Sequence, residues 1–266
     1  MTSLAAYDLS GRTAVITGAA SGIGAETSAI LASSGAAIVA ADLNQDGAEA
    51  TASKIRDAGG RAVGVAADVT RRADVAALVD RAVAEFGKLD IMCNIAGAMF
   101  PGLIEDLDDD VIDKGIALNL KGVLYGTQYA IKAMKQTGGG SIVNVSSAAI
   151  DFPYPGIGVY AFTKAGVAML TMTAAIEAGA HGIRVNAIAP GTTVTPFTTW
   201  RLHKDDGTLD TEAMEQFLEQ QRGLSPLHTV GEAADQAQLI HYLVSDAAKF
   251  ATGNIFRVNG GQAMPW

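Results

Sequence analysis

Tyr160 and Lys164 stand four positions apart in the stretch Tyr-Ala-Phe-Thr-Lys. On a helix that spacing brings both side chains onto one face, about one turn apart. A phenol with a reference pKa near ~10 holds its proton too firmly for a shuttle at neutral pH. A neighbouring ammonium favours the phenolate and draws that value toward the working range. Ser147, 13 residues before Tyr160 and at the end of a short apolar run, carries a hydroxyl suited to hold the oxygen that the phenol protonates. Ser146 competes for that role, and both serines equally suit the cap of a turn. A Tyr and a Lys at this spacing also suit a solvated helix face. The chemistry therefore depends on the elements around them.

Those elements are set by Thr13 to Asp42. Ala14-Val15-Ile16-Thr17 is an apolar, partly β-branched run that suits a strand buried on both faces. Gly18, Gly22 and Gly24 follow, with Ser21 and Ile23 among them, in the order Thr-Gly-Ala-Ala-Ser-Gly-Ile-Gly. Glycine permits unusual φ, close approach of a pyrophosphate to the backbone, and tight packing of helix on strand. The helix beyond the turn offers unpaired N–H groups and a positive dipole end to phosphate. A second apolar run, Ala36 to Ala41, closes on Asp42, which lies 18 residues after Gly24. An acid near that separation meets an adenosine ribose in such units. Its carboxylate would accept from both ribose hydroxyls and repel a 2′-phosphate. Neither Ser21 nor Leu43 supplies a cation to hold one, so the pattern predicts NAD. The glycines alone suit an ordinary tight turn; strand, helix, second strand and acid together point to a dinucleotide. No Gly-Lys-Ser/Thr follows, which disfavours a mononucleotide loop.

Strand and helix patterns keep alternating. Helices are expected at Asp46 to Ala58, Arg72 to Phe86, Asp106 past Asn119 to Gln136, from the loop ending at Gly158 through Ala180, and Glu232 to Asp246. Strands are expected at Arg61 to Ala67, Leu89 to Asn94, Ser141 to Val145, Gly182 to Ala189 and Ile255 to Val258. Asn119 is a poor residue for a helix interior; it either faces solvent or marks a special backbone. The tally predicts an α/β fold: one doubly wound parallel sheet of about seven strands, flanked by helices on both faces, with its ligand at the carboxyl ends. A single domain spanning 1–266 is expected, since no Pro/Gly/Ser linker divides the chain. The stretch from Thr192 to Leu227 breaks the rhythm, is too long for a simple connection, and is expected to form a substrate lid with one or two short helices around 211–221.

Composition narrows the partners. A formal net charge of −9 argues against nucleic acid or an anionic membrane. No apolar run is read as long enough to span a bilayer, and the N-terminal stretch has no secretory pattern, so the expected location is cytoplasmic. The single cysteine, Cys93, reads as a buried small hydrophobe. The four histidines, His181, His203, His228 and His241, are scattered singly, so no metal is expected.

Together these motifs resemble those of the classical short-chain dehydrogenase/reductase family, and the likeness covers nearly the whole chain. It is carried by the glycine turn at 17–24, Asp68, Asn-Ile-Ala-Gly at 94–97, Asn119, the serine pair, the Tyr160–Lys164 stretch, and Pro190-Gly191 with Thr195. The resemblance implies Tyr160 as general acid/base, Ser147 as the residue that positions the substrate oxygen, and Lys164 bound to the nicotinamide ribose while lowering the tyrosine pKa. It implies a water of the proton relay held by the backbone near Asn119. Asp68 and Val69 would meet adenine; Asn94, Ala96 and Gly97 would support the sheet and ribose; Thr193, Thr195 and their neighbours would meet the carboxamide and phosphates. Two departures stand out. Ile95 replaces the usual second asparagine, with little change of geometry expected because that turn works by backbone. Thr193 replaces a common aliphatic residue, and its backbone still suits the carboxamide.

The expected activity is NAD(H)-dependent interconversion of a secondary alcohol and a ketone. A non-catalytic NAD(H)-binding or redox-sensing protein on the same fold, or a related C=C reductase or dehydratase, are the rivals. Met99, Phe100, Phe152 and Tyr154, together with Phe197, Trp200 and Leu202 of the lid, suggest an apolar pocket for a hydrophobic or cyclic small-molecule alcohol. Some of these side chains equally suit packing between subunits, and relatives in the family are commonly dimers or tetramers, so a homo-oligomer is expected.

Overall fold

A computed structural model describes residues 3–204 and 206–265. Met1, Thr2 and Trp266 at the ends of the expected domain, and Asp205 in the expected lid, lie outside the described residues. The strands are β1 (Thr13–Thr17), β2 (Ala37–Asp42), β3 (Arg61–Ala66), β4 (Ile91–Asn94), β5 (Gly140–Val145), β6 (Ile183–Ile188), β7 (Thr193–Val194), β8 (Gly231–Glu232) and β9 (Ile255–Phe256). Seven of them form one sheet in the order β3-β2-β1-β4-β5-β6-β9. Every neighbouring pair is parallel. The doubly wound sheet expected from the alternation is therefore present. The strand order reverses between β1 and β4, and in such sheets the crevice outside that switch point takes the ligand. β7 and β8 pair separately, an addition that the sequence did not announce.

The helices are α1 (Gly22–Ser33), α2 (Gln45–Asp57), α3 (Arg72–Phe86), α4 (Asp109–Ile116), α5 (Gly122–Thr137), α6 (Gly158–Gly179), α7 (Pro196–Thr199), α8 (Thr211–Leu224) and α9 (Ala233–Val244). Successive strand residues point to opposite faces, so β1 feeds two cores. Ala14 and Ile16 pack with Leu31, Ile55 and Ile240 on one face. Val15 packs with Leu78, Met134 and Ala174 on the other. Cys93 is fully buried in the first core, where desolvation pushes its thiol up to about 12.

Two expectations about helices are corrected. The long helix predicted from Asp106 to Gln136 is α4 and α5 joined by a π-helical turn, Ala117–Lys121. Asn119, at its centre, is 0% exposed; it does not face solvent. Its amide donates to the Ala98 carbonyl at 2.9 Å and its carbonyl accepts from the Ala98 N–H at 3.0 Å. An extra residue in the turn lets this poor helix former turn inward. The expectation that no apolar run reaches spanning length also fails. α6 has the length and composition of a membrane-crossing helix, although half of its most apolar window is buried within this fold.

Candidate active site

The carboxyl edge of the sheet carries a cavity of about 620 Å³. At one end it is lined by Asp42, Leu43, Asp68 and Val69; in the middle by Gly18, Ser21, Gly22, Ile23 and Gly24. Ala96, Gly97, Tyr160 and Lys164 follow, then Pro190, Gly191, Thr193 and Thr195. Residues scattered from 18 to 195 thus share one wall because β1, β2, β3, β4, β5 and β6 all end on this edge.

The glycine turn shows why side chains are excluded there. Gly18 has φ +73°, a left-handed conformation that favours glycine. A Cβ on Gly24 would collide with the Gly18 carbonyl, and a Cβ on Gly22 would sit 3.1 Å from the Thr195 methyl. Below them the Asp42 carboxylate is held by the Ala20 and Asn44 N–H groups, at 3.0 and 2.9 Å. Asp68 accepts from both the N–H and the hydroxyl of Thr70. At Asn-Ile-Ala-Gly the turn is held without help from the side chain of Ile95. The Thr17 hydroxyl accepts from the N–H groups of Ile95 and Ala96, at 3.0 and 3.2 Å, so the turn is fixed through its backbone while Ile95 packs on the core.

At the other end Tyr160 and Lys164 both sit in the first turns of α6. Ser146 and Ser147, rivals in the sequence, are separated by their partners. The Ser146 hydroxyl donates to the Lys164 carbonyl at 2.9 Å and is committed to the helix. The Ser147 hydroxyl accepts from Ala149 N–H at 3.1 Å and stands near enough to Tyr160 to act on its phenol. Burial raises the Tyr160 pKa, and the Ser147 hydroxyl acts in the opposite sense. Lys164 is 2% exposed, and desolvation lowers its pKa to about 8. Its ammonium donates to the Val145 carbonyl at 2.8 Å and lies 5.6 Å from the centre of the Tyr160 ring. The expected lowering of the tyrosine by the lysine is therefore not what dominates here. Both groups are dry, and burial disfavours the charged form of each.

Several expected site residues stand elsewhere. Asn94 lies beneath the cavity, donating to Asn144 at 2.8 Å in a buried polar network that continues to Thr171. Asn119 acts on the Ala98 backbone and is not on the wall. Of the expected substrate residues, Met99, Phe152, Tyr154 and Phe197 line the cavity, and the Phe197 ring lies 5.9 Å from that of Tyr160. Phe100 packs against Gly115 of α4 instead. Trp200 is 52% exposed with the Arg201 guanidinium 4.6 Å over its ring, and neither it nor Leu202 reaches the wall. The reason is α7: its Thr195–Thr198 capping box turns the chain sharply, sending Phe197 inward and Trp200 out. The sequence reading missed Ala148, Ala149, Ile157, Gln221, Leu224, Gln262 and Ala263, all on the cavity. Only the Gly260-Gly261 pair signalled that the chain reverses after β9 toward this edge.

The family described as short chain dehydrogenase matches residues 12–206. The chain belongs to that family. It is 37% identical over 262 residues to a short chain dehydrogenase/reductase, astE, of Aspergillus oryzae, covering 97% of each chain. It is 41% identical over 251 residues to the cis-4-hydroxycyclohexanecarboxylate dehydrogenase of Sinomonas cyclohexanicum, covering 94% of this chain and 96% of the relative. Among solved structures, 7α-hydroxysteroid dehydrogenase complexed with NADH and 7-oxo glycochenodeoxycholic acid superposes with a TM-score of 0.89 at 30% identity, over 100% of this chain and 99% of that one.

Proposed function

We propose that this short-chain dehydrogenase interconverts a secondary alcohol and a ketone with NAD(H), on an apolar or cyclic substrate. The observation that carries the reading is the single cavity that holds the Ser147–Tyr160–Lys164 set at one end and Asp42 at the other. A nicotinamide dinucleotide suits the donor set. The glycine turn leaves no room for a Cβ where a pyrophosphate approaches, and the Asp42 carboxylate suits a ribose diol. When bound, the nicotinamide supplies or accepts the hydride. Gly18 to Gly24 present backbone N–H groups to phosphate. Asp42 orients the adenosine ribose and disfavours a 2′-phosphate by charge. Lys164, dry and anchored on Val145, holds the second ribose beside Gly97. Ser147 orients the substrate oxygen, and Tyr160 gives that oxygen its proton in reduction and removes it in oxidation. Met99, Phe152, Ile157 and Phe197 exclude water around the reacting carbon.

A ring substrate is supported by two of the similar proteins, named for a hydroxycyclohexanecarboxylate and a hydroxysteroid. The reading includes a cytoplasmic enzyme that assembles as a dimer or tetramer. Assembly is supported by the apolar side chains that α6 leaves exposed, Phe162, Met169 and Ile176.

The test is oxidation of cyclohexanol and reduction of cyclohexanone, followed by nicotinamide absorbance, in the wild-type protein and in Tyr160→Phe. Removing the phenol should lower kcat by ~10²–10⁴-fold while the NADH dissociation constant changes little. Near-normal turnover in Tyr160→Phe would overturn the assigned mechanism. Tight NADH binding with no turnover of any alcohol or ketone would favour the non-catalytic alternative.

A further inference from the structure

Thr192 is gripped from two sides on the cavity wall. Its N–H donates to Gln262 Oε1 at 2.8 Å, and its hydroxyl donates to Gln221 Oε1 at 2.6 Å. These glutamines come from distant parts of the chain, one on α8 and one in the turn after β9. The two parts are clasped together. Ser225, which follows α8 and is 2% exposed, donates its hydroxyl to the Gly260 carbonyl at 2.9 Å, and Gly261 abuts Pro226. Asn259 completes the turn by donating to the Ala263 carbonyl at 2.7 Å. Gln262 is held so close to the wall that a Cβ on Gly191 would lie 2.6 Å from its Oε1.

Amide oxygen and nitrogen must be told apart by their partners. A backbone N–H can only donate, so it fixes the Gln262 oxygen and turns its NH₂ the other way; the Thr192 hydroxyl can donate or accept, and its donation to Gln221 Oε1 leaves the Gln221 NH₂ unpartnered as well. Neither NH₂ group donates to any of the described residues, and both side chains line the cavity shared with Tyr160 and Ser147. The site thus presents up to four N–H donors with no protein acceptor on an otherwise largely apolar wall. Donors of that kind reward a ligand that brings an acceptor and are wasted on one that does not.

Resting on the alcohol–ketone reading above, we propose that Gln221 and Gln262 form a subsite for a second, uncharged oxygen on the substrate, remote from the reacting carbon. The substrate class is a ring ketone or alcohol bearing a further hydroxyl, ether or carbonyl. A carboxylate is disfavoured at this position. Both donors are neutral, the only cation among the described residues of the wall is Lys164 at the reacting end, and Arg222 of α8 is engaged by Glu215 and Glu219.

The experiment uses three probes without an oxidisable hydroxyl: cyclohexanone, cyclohexane-1,4-dione and 4-oxocyclohexanecarboxylate. Each is titrated calorimetrically into the full-length protein with saturating NAD⁺, which cannot reduce a ketone. The dione should bind about threefold to tenfold tighter than cyclohexanone, the range for one or two neutral hydrogen bonds, and the carboxylate should bind no tighter than cyclohexanone. Gln221→Leu and Gln262→Glu should each erase the margin. The glutamate keeps an oxygen for the Thr192 N–H and replaces the NH₂ donor by a charged acceptor, whereas the leucine removes the other donor without adding charge, so a margin lost in both reports the donors. Equal affinities in the wild type, tighter binding of the carboxylate, an undiminished margin in both variants, or no binding of any ketone would overturn the subsite. Turnover of the same ketones with NADH is read separately. Its absence alongside a retained margin would remove the reductase reading and leave the subsite standing.

Discussion

Replacing Lys164 by methionine measures what burial does to the ammonium. Lys164 is 2% exposed, and desolvation takes its pKa from 10.5 to about 8. The folded value lies below the unfolded one, the reverse of a lysine that gains a carboxylate partner. Below about 8 the lysine is protonated in both states, and the folded chain bears the full cost of a dry ammonium. As pH rises from about 8 toward 10.5 the folded state releases its proton first. The unfolded chain then binds more protons, so stability rises with pH. Integrated between pH 7 and pH 9.5, that difference contributes roughly 2 kcal/mol. Methionine does not titrate, so the variant lacks this contribution. It also loses the bond to the Val145 carbonyl, an offset of roughly 1–3 kcal/mol that is largely independent of pH. The assay is urea unfolding of both proteins at one protein concentration across that pH interval, reading wild type minus variant. Wild type should gain roughly 2 kcal/mol on Lys164→Met from pH 7 to pH 9.5. A difference that stays flat, or that falls with pH, would refute the desolvation account of this residue.

Cofactor choice follows from Asp42: kcat/KM with NAD(H) should exceed that with NADP(H) by at least about tenfold, roughly 1.4 kcal/mol, and Asp42→Ser should narrow the gap. Equal efficiency in the wild type would sink that assignment. Phe197→Ala opens the wall beside Tyr160 and should raise KM for cyclohexanone by about tenfold, ~1–2 kcal/mol of lost apolar contact. Trp200→Ala, outside the cavity, should leave that KM unchanged; the opposite ranking would mean that α7 turns differently in solution. The pH profiles of the two directions should diverge. Alcohol oxidation needs Tyr160 without its proton and should rise above neutrality, whereas ketone reduction needs the proton and should fall. Parallel profiles in the two directions would exclude Tyr160 as the group that moves the proton.

The chain order of apolar runs, glycines and polar breaks determined the sheet. The five inner parallel strands, β2, β1, β4, β5 and β6, read as apolar runs because both of their faces are covered, and each is local in sequence. Asp42 at the end of β2 and Tyr160 and Lys164 on α6 were legible for the same reason, since their spacing is set within one element or one turn. What stayed hidden depends on contacts between distant segments. The choice of Ser147 over Ser146 comes from which hydroxyl the Lys164 carbonyl captures. The inward turn of Asn119 comes from its bonds to Ala98 across the cavity's edge. Lys164 promised a lowered tyrosine pKa by proximity, but burial, a property of the whole packed edge, dominates both groups. Among the aromatic residues, hydrophobicity alone could not separate Phe197 from Trp200. The four-residue α7 does so by rotating one inward and the other out. Gln221 lies in the stretch expected as a lid and Gln262 follows a glycine pair, but nothing in the sequence joins the two. They meet only because Ser225 and the Gly260-Gly261 turn clasp the end of α8 to the chain after β9, and Thr192 stands between them.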